Sequence, residues 1–557
     1  MSNEEVPLLS GVGGGVGKSK CSFKGLSLFF ASLCVIDLFG VFPIVALPRA
    51  IVDCGWLGLP LAFTVFTLQI YTALLLGRSW VMAEMIEPSI VEKSRYPYAA
   101  LAELTFNTRM RKFVTFLLDI TIFGGGVPNL LVASQNLQIL GLKISNFEWD
   151  VSYCYWMLLL GVALCPAMWL GSPKDMKWLA ASSVCIVVTV GALTWYLLLH
   201  EPLPPGALPP VLPEVSWQSL AIAYGILAFQ FDIHPMILTV QVDMEKKNKL
   251  GHAILAGFLV SGGLSIVTCI IIYLRFGTSI NYNILPGLQP HILLYVNAFL
   301  VTLQICLSMV VGGTALFQDV EDKLGVPRDF NWKRCVVRSS ILMTAVLIGE
   351  AVPRFDLVMG LLGGALTGPL MFILPPIIHY RLRSILWRKQ LIARIDRYEA
   401  DGARLREELL RKTTLPPQQL SYAPNAFGLV TNDMSTGKEP IPTGPASGSF
   451  SSETSSSLGS LPQPYLPPSE LLDPPLAPRS LIQHLVGLVS TEVDESVSQL
   501  GCCELAMTFV IVGAGITATV VATYYALVGN IAYATFSPPC IVSVNEASRA
   551  IFDELVT

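Results

Sequence analysis

Charge is scarce in this chain. Asp, Glu, Lys and Arg make up 14% of its 557 residues, whereas soluble domains carry about 25%. That shortfall excludes a soluble core of ordinary size. Enzyme signatures are missing as well: there is no paired catalytic motif, no metal-ligand cluster and no complete nucleotide loop. The run GGGVGKS (13–19) approaches a phosphate-binding loop, but Val12 stands where the first glycine belongs, and no strand leads into it. The chain is therefore not expected to be an enzyme, to hold a cofactor or metal, or to bind nucleic acid. A repeated filter sequence, the mark of a channel, is absent. Asn-x-Ser/Thr sequons do not occur. The polar start MSNEEVPLLSGVGGGVGKSKCSFKG has no short apolar run with a small-residue cleavage site, so no cleaved signal peptide is expected. The 12 cysteines form no evident disulfide framework. Cys34, Cys165, Cys185, Cys269 and Cys306 lie inside apolar runs and read as small hydrophobes. Cys54, Cys154 and Cys540 fall near one expected face, where a bridge is an open alternative. Cys502 and Cys503 adjoin an apolar run, where palmitoylation is another.

Apolar length is what the chain has instead. It is 53% hydrophobic with a mean hydropathy of +0.59, and several runs reach the roughly 20 residues a membrane helix needs. The fold class expected is an all-α membrane protein with about eleven transmembrane helices. The spans fall near 26–52, 57–77, 113–140, 153–171, 177–199, 217–242, 250–274, 290–315, 337–351, 356–380 and 504–529. Basic residues test that count, because Lys and Arg concentrate in cytoplasmic loops. Lys18, Lys20 and Lys24, then Arg95, Arg109, Arg111 and Lys112, Lys174 and Lys177, Lys246, Lys247 and Lys249, Lys323, Arg328, Lys333 and Arg334, and Arg381, Arg383, Arg388 and Lys389 all share one side under this reading. The opposite loops hold only isolated cations such as Lys143, Arg275 and Arg354. The N-terminus is thus expected in the cytoplasm and the C-terminus outside it.

The division that follows has a disordered cytoplasmic tail at 1–25 and two five-span repeats at 26–199 and 200–380. A charged cytoplasmic helix is expected at 381–412, either solvated or lying on anionic lipid. The Pro/Ser/Gly-rich insertion 413–503 cannot bury enough apolar surface to fold and is expected to be mostly disordered. The eleventh span occupies 504–529, and an extracytoplasmic tail 530–557.

Two spans are built at a cost. The first reads SLFFASLCVIDLFGVFPIVALPRAIVDCGW, with Asp37, Gly40, Pro43 and Pro48 inside it. The sixth contains ILAFQFDIHPMIL (226–238), with Gln230, Asp232, His234 and Pro235. Proline removes a helical hydrogen bond and clashes with the preceding turn. A charged aspartate at mid-bilayer costs on the order of 2.5–3.5 kcal/mol. Two such breaks, at matching positions of two oppositely oriented halves, point to a transporter's central site. A kink kept only for packing is the competing reading.

At these residues the sequence resembles the amino acid/auxin permease family, which includes the vesicular inhibitory, proton-coupled and sodium-coupled neutral amino acid transporters. ALPRAIVDCGWLGLPLAF is similar to its LP-x-A…GW-x-G pattern. AFQFDIHPMILTVQVDMEKKNK is similar to its phenylalanine-rich break and basic loop. LVMGLLGGALTGPLMFILPPIIHYRL is similar to its G-x-x-G…P…ILPP-x-x-H ending. The resemblance covers about 25–380, and less clearly 504–529. It implies a leucine-transporter-type five-plus-five inverted repeat with one extra span. It also implies secondary active transport of amino acids by symport with H+ or Na+, neutral amino acids being the expected substrate. Substrate-binding positions are then Gly40, Val41 and Phe42 in the first break and Phe229, Gln230 and Phe231 in the sixth. The pattern departs from the family at Pro43, which has no N–H to offer a substrate carboxylate.

Burial from water disfavours the charged form of a carboxylate, so Asp37 and Asp232 are the candidate proton carriers, with His234 as a partner. A sodium-coupled transporter would instead use span-one carbonyls with Thr302 and Ser308 of span eight. An amino acid sensor or scaffold of the same fold, with little transport, is the other alternative. In the N-terminal tail, EEVPLLS (4–10) places Glu4 ahead of Leu8 and Leu9. That spacing resembles an acidic dileucine signal, so sorting adaptors are expected partners beside substrate and bilayer. An endolysosomal or vesicular membrane is favoured over the plasma membrane.

Overall fold

The computed structural model describes residues 25–93, 96–145, 151–170, 176–202, 213–289, 291–327, 330–352, 355–412, 502–536 and 540. The dileucine run, the GGGVGKS run, the insertion from 413 to 501 and the tail beyond 540 lie outside the described residues. Among the described residues all regular structure is helical, with one isolated bridge between Leu26 and Met244.

The first span is three helices in series, α1 (Leu28–Phe39), α2 (Phe42–Val45) and α3 (Pro48–Val52). Ser27 caps α1 through its hydroxyl. The helix ends at Gly40, whose φ of 61° lies where glycine pays no Cβ penalty. Pro43 and Pro48 sit in the first turns of α2 and α3, where the missing N–H would have had no helical partner. The prolines therefore start new helices rather than merely bending an old one. Span six repeats this device. Its first half α10 (Trp217–Gln230) stops at Phe231, and α11 (His234–Asp243) starts with Pro235 in its first turn.

The remaining apolar stretches are α4 (Gly58–Ile86), α7 (Thr108–Ile144), α8 (Tyr153–Leu170), α9 (Met176–His200), α12 and α13 (Leu250–Gly257 and Gly263–Arg275, joined by a π turn), α14 and α15 (Ile292–Gly312 and Thr314–Lys323), α16 (Trp332–Ala351), α17 and α18 (Phe355–Leu362 and Leu374–Lys412, joined by two π turns) and α19 (Cys502–Phe536). Among the described residues eight helical stretches are long and apolar enough to cross a membrane; Leu28–Phe39 and Tyr153–Trp169 are shorter apolar helices. Several stretches outrun their expected ends, because a helix continues into water wherever its next turn finds support. The support for α4 beyond residue 77 includes Glu84, which binds Lys247 and accepts from Trp80 Nε1 at 2.6 Å. Two short helices, α5 (Ile90–Lys93) and α6 (Pro97–Thr105), occupy what the hydropathy left as a loop. Numbered in chain order, α5 and α6 fall between α4 and α7.

The end of α18 beyond Gln390 belongs to a unit separate from the main one. Leu391, Ile392, Ile395 and Tyr398 are exposed there.

Burial separates the central spans from the peripheral one. In Trp217–Asp243, 72% of the apolar window is buried, against 17% in Glu504–Gly529. The broken span six is thus at the core of the main unit, and α19 leaves most of its apolar surface for lipid. Helix ends meet in two groups. One joins Lys247 to Glu84, Arg383 to Glu504 and Lys323 to Asp119. The other joins Arg275 to the carbonyl oxygens of Leu199 and Glu201, Ile284 N to Val45 O, and Cys540 N to Glu350 O. The second group includes a disulfide, Cys154–Cys540, which realises one of the bridges the sequence left open. Cys54 is a buried free thiol.

Candidate functional site

A cavity of about 210 Å³ lies between the two broken spans. Its wall takes Gly40 and Phe42 from the first break and Phe229, Gln230 and Asp232 from the sixth. Ser308 and Gln304 of α14 and Asn129 of α7 add polar groups. The cavity extends to Met168 and Phe317, which touch the guanidinium of Arg338 through a 2.6 Å hydrogen bond and a 5.4 Å ring contact.

Several expected site residues meet here and others do not. Val41 is buried off the cavity; its N–H donates to Gln304 Oε1 at 3.3 Å. Phe231 packs into an aromatic cluster with Phe39, Phe66 and Phe258, behind the wall. Asp37 is buried away from the cavity, beside Ser183 of α9, with Oδ1 lacking a hydrogen-bond partner. Thr302 donates to Ala298 O of its own helix at 2.9 Å and does not reach the cavity. Ser308 does reach it, six positions on, so α14 turns the two hydroxyls to different faces.

Asp232 and His234 form the centre of the sixth break. Asp232 Oδ1 accepts from the His234 backbone N–H at 3.2 Å and stands 3.6 Å from His234 Nδ1. His234 is fully buried, with Nε2 3.0 Å from Thr72 Oγ1. That hydroxyl already donates to backbone oxygen of its own helix, at Leu68 or Gln69. While the hydroxyl hydrogen goes to the backbone, Thr72 Oγ1 is an acceptor for His234 Nε2–H; turned to the ring, it donates to Nε2 and leaves the ring hydrogen at Nδ1, toward Asp232. Gln69 Nε2, one turn earlier, reaches the carbonyls of Leu227 and Ala228 at 3.4 Å and so satisfies backbone groups near the break.

Gln304, Gln69 and Thr72 were not singled out in the sequence. Each is a neutral polar residue in an apolar run, and such residues commonly bind a neighbouring helix. Gln304 bridges three spans. Its amide meets Val41 N–H and, at 3.3 Å, Ser183 Oγ, and a Cβ at Gly40 would come within 3.0 Å of its Nε2.

Two interrupted apolar helices lining one cavity, within a core of long apolar helices, define a multi-pass membrane protein. Residues 29–394 match the family described as "Transmembrane amino acid transporter protein", and the chain belongs to that family. Among similar curated proteins, amino acid transporter AVT1C of Arabidopsis thaliana is 23% identical over 60% of this chain and 59% of its own length. AVT1B of the same plant is 24% identical, covering 60% of each. The proton-coupled amino acid transporter-like protein pathetic of Drosophila melanogaster is 24% identical over 62% of this chain and 79% of its own. The matches thus span about three-fifths of the two plant relatives. A solved structure of MhsT in complex with L-phenylalanine aligns with a TM-score of 0.45 at 12% identity, over 64% of this chain and 88% of that one.

Proposed function

We propose that the chain is a secondary active transporter of neutral amino acids, coupled to protons by symport through Asp232 and His234. The observation that carries this reading is the 3.6 Å approach of Asp232 Oδ1 to His234 Nδ1, both inside the core. In the tautomer that carries its hydrogen on Nε2, toward Thr72, a neutral His234 presents a lone pair at Nδ1. Two buried acceptors facing each other repel until a proton stands between them. The pair is thus short of one proton, and loading it removes an electrostatic cost inside the sixth break. The engaged Thr302 hydroxyl and the Gln304 amide at the junction of spans one and eight favour protons over sodium.

The two breaks, at the first and sixth of eleven spans, support a five-plus-five inverted repeat. The Cys154–Cys540 disulfide supports a shared oxidising side for the start of span four and the tail after span eleven. That agrees with a cytoplasmic N-terminus and an extracytoplasmic C-terminus. Names of relatives that include amino acid transport, and in one case proton coupling, add to this reading.

The test is uptake of radiolabelled neutral amino acids into proteoliposomes with and without an inward proton gradient. Gradient-driven uptake in Asp232→Asn is expected to fall on the order of 30-fold, the equivalent of a charged hydrogen bond worth about 2 kcal/mol. Parent-like gradient dependence in the variant removes Asp232 from coupling.

Residence in endolysosomal membranes, by adaptor reading of Glu4, Leu8 and Leu9, completes the proposal. Replacing Leu8 and Leu9 with Ala is expected to move a fluorescently tagged protein to the cell surface. An unchanged distribution rejects the signal.

A further inference from the structure

We infer that the cavity recognises its solute by an ammonium group seated on Asp232, with no ionic seat for a carboxylate, so that apolar primary amines bind as well as neutral amino acids do. This rests on reading the cavity as the transport site and adds the chemistry by which that site selects.

The sign of the cavity is the first ground. Among the described residues Asp232 is the sole charged one in its wall, and no Lys, Arg or His lines it. The carboxylate divides its two oxygens. Oδ1 is engaged on the His234 side, while Oδ2 has no hydrogen-bond partner. With its side chain 4% exposed, an unpaired carboxylate oxygen is costly, and a cationic donor is the group that relieves it best. A proton held at His234 Nδ1 leaves Oδ2 available, so one anion can bridge a proton site and an ammonium.

The second ground is the state of the helix starts. Free N–H groups at a helix N-terminus are the usual seat for an anion. The sixth break has spent its own, and the first has spent all but the N–H of Phe42, the first residue of α2. Gly40 N–H donates to Ile36 O, Val41 N–H to Gln304 Oε1, and Pro43 has none. At the start of α11, His234 N–H donates to Asp232 Oδ1, Met236 N–H to Ile233 O, and Pro235 again has none. A substrate carboxylate would meet neutral donors alone, the Phe42 N–H and side chains such as Asn129 and Ser308. The rest of the wall is largely apolar, with Phe39, Phe42, Phe123 and Phe229, which suits a hydrocarbon or aromatic body. Ammonium recognition is ionic and buried; carboxylate recognition is neutral. Losing the first costs far more than losing the second.

The experiment measures equilibrium binding to the purified full-length protein, using two matched series. They are leucine, isoamylamine and 4-methylpentanoate, then phenylalanine, 2-phenylethylamine and 3-phenylpropanoate. The amine of at least one series is expected to bind within about 10-fold of its amino acid, and the acid at least roughly 30-fold more weakly, the worth of a charge-assisted hydrogen bond. Asp232→Asn is expected to weaken amine and amino acid by a similar factor. The inference is overturned if the acid binds as tightly as the amino acid, if neither amine binds, or if Asp232→Asn keeps parent affinity for the amine. Should that variant fail to fold, the comparison within each series on the parent protein decides alone. Proteoliposome uptake with the same compounds separates the two readings. Amine binding without flux of any compound keeps the seat and overturns transport. Amino acid flux with no amine binding overturns the seat and keeps transport.

Discussion

Gly363→Ala is expected to leave little or no folded protein. A Cβ built at Gly363 would lie 1.7 Å from the carbonyl oxygen of Gly225 and 3.0 Å from Phe229 N. Both neighbours are backbone, so no side chain can swing aside. The approach is reciprocal: a Cβ at Gly225 would lie 2.4 Å from Gly360 O. Glycines on α10 and on the α17 side of span ten thus let two backbones touch, as small residues do where membrane helices pack closely. Overpacking in a core typically costs about 1–3 kcal/mol; here the overlap is with a main-chain atom one turn from Phe229, so separating the helices would also move the sixth break. Gly513→Ala on α19 is the control, since a Cβ there meets nothing within 4 Å. It is expected to be neutral or slightly stabilising, by up to about 1 kcal/mol. Size-exclusion profiles of fluorescently tagged variants in detergent give the comparison. A monodisperse Gly363→Ala protein with parent yield would refute the close-contact argument.

Those glycines show what the sequence could and could not say. The run GLLGGALTGP stood out as part of a resemblance, yet nothing in its spelling names Gly225 as its partner. Contacts between residues far apart in sequence depend on how spans are ordered in space, which hydropathy does not encode. The broken spans were readable because Asp37, Pro43, Asp232 and Pro235 violate the rules for a lipid-facing helix. Gln304, Gln69 and Thr72 were missed for the opposite reason. A neutral amide or hydroxyl in a span is unremarkable until its partner is seen. Asp37 and Asp232 looked alike in sequence, but their places differ: Asp232 lines the cavity, whereas Asp37 is buried behind it beside Ser183.

Glu321→Leu is expected to destabilise the protein more than Arg338→Met, and the two together less than either alone. Glu321 of α15 holds Arg338 of α16 at 2.6 Å from Oε1 and 3.4 Å from Oε2, with Arg338 fully buried. Removing the acid leaves that guanidinium with the Met168 carbonyl and the Phe317 ring, neither of which neutralises it. Breaking a buried pair in this way costs about 3–5 kcal/mol. Removing the cation is milder, because Arg334 Nε remains 3.4 Å from Glu321 Oε1 and can hold the orphaned carboxylate. The double variant removes both desolvation penalties of the pair at once, and replacement of a buried pair by apolar side chains is often neutral; Arg334 also loses Glu321, but its side chain, unlike that of Arg338, is partly exposed and can be hydrated. Thermal unfolding in detergent should therefore order the proteins as parent, double variant, Arg338→Met and Glu321→Leu, from most to least stable. A double variant as unstable as Glu321→Leu would mean that the pair contributes through something other than mutual neutralisation. Because Met168 and Phe317 line the cavity and also hold Arg338, the same double variant tests whether the pair serves more than stability. Recovered unfolding temperature with lost uptake would place the Glu321–Arg338 pair in the movement that opens the cavity, whereas recovery of both would confine it to holding α8, α15 and α16 together.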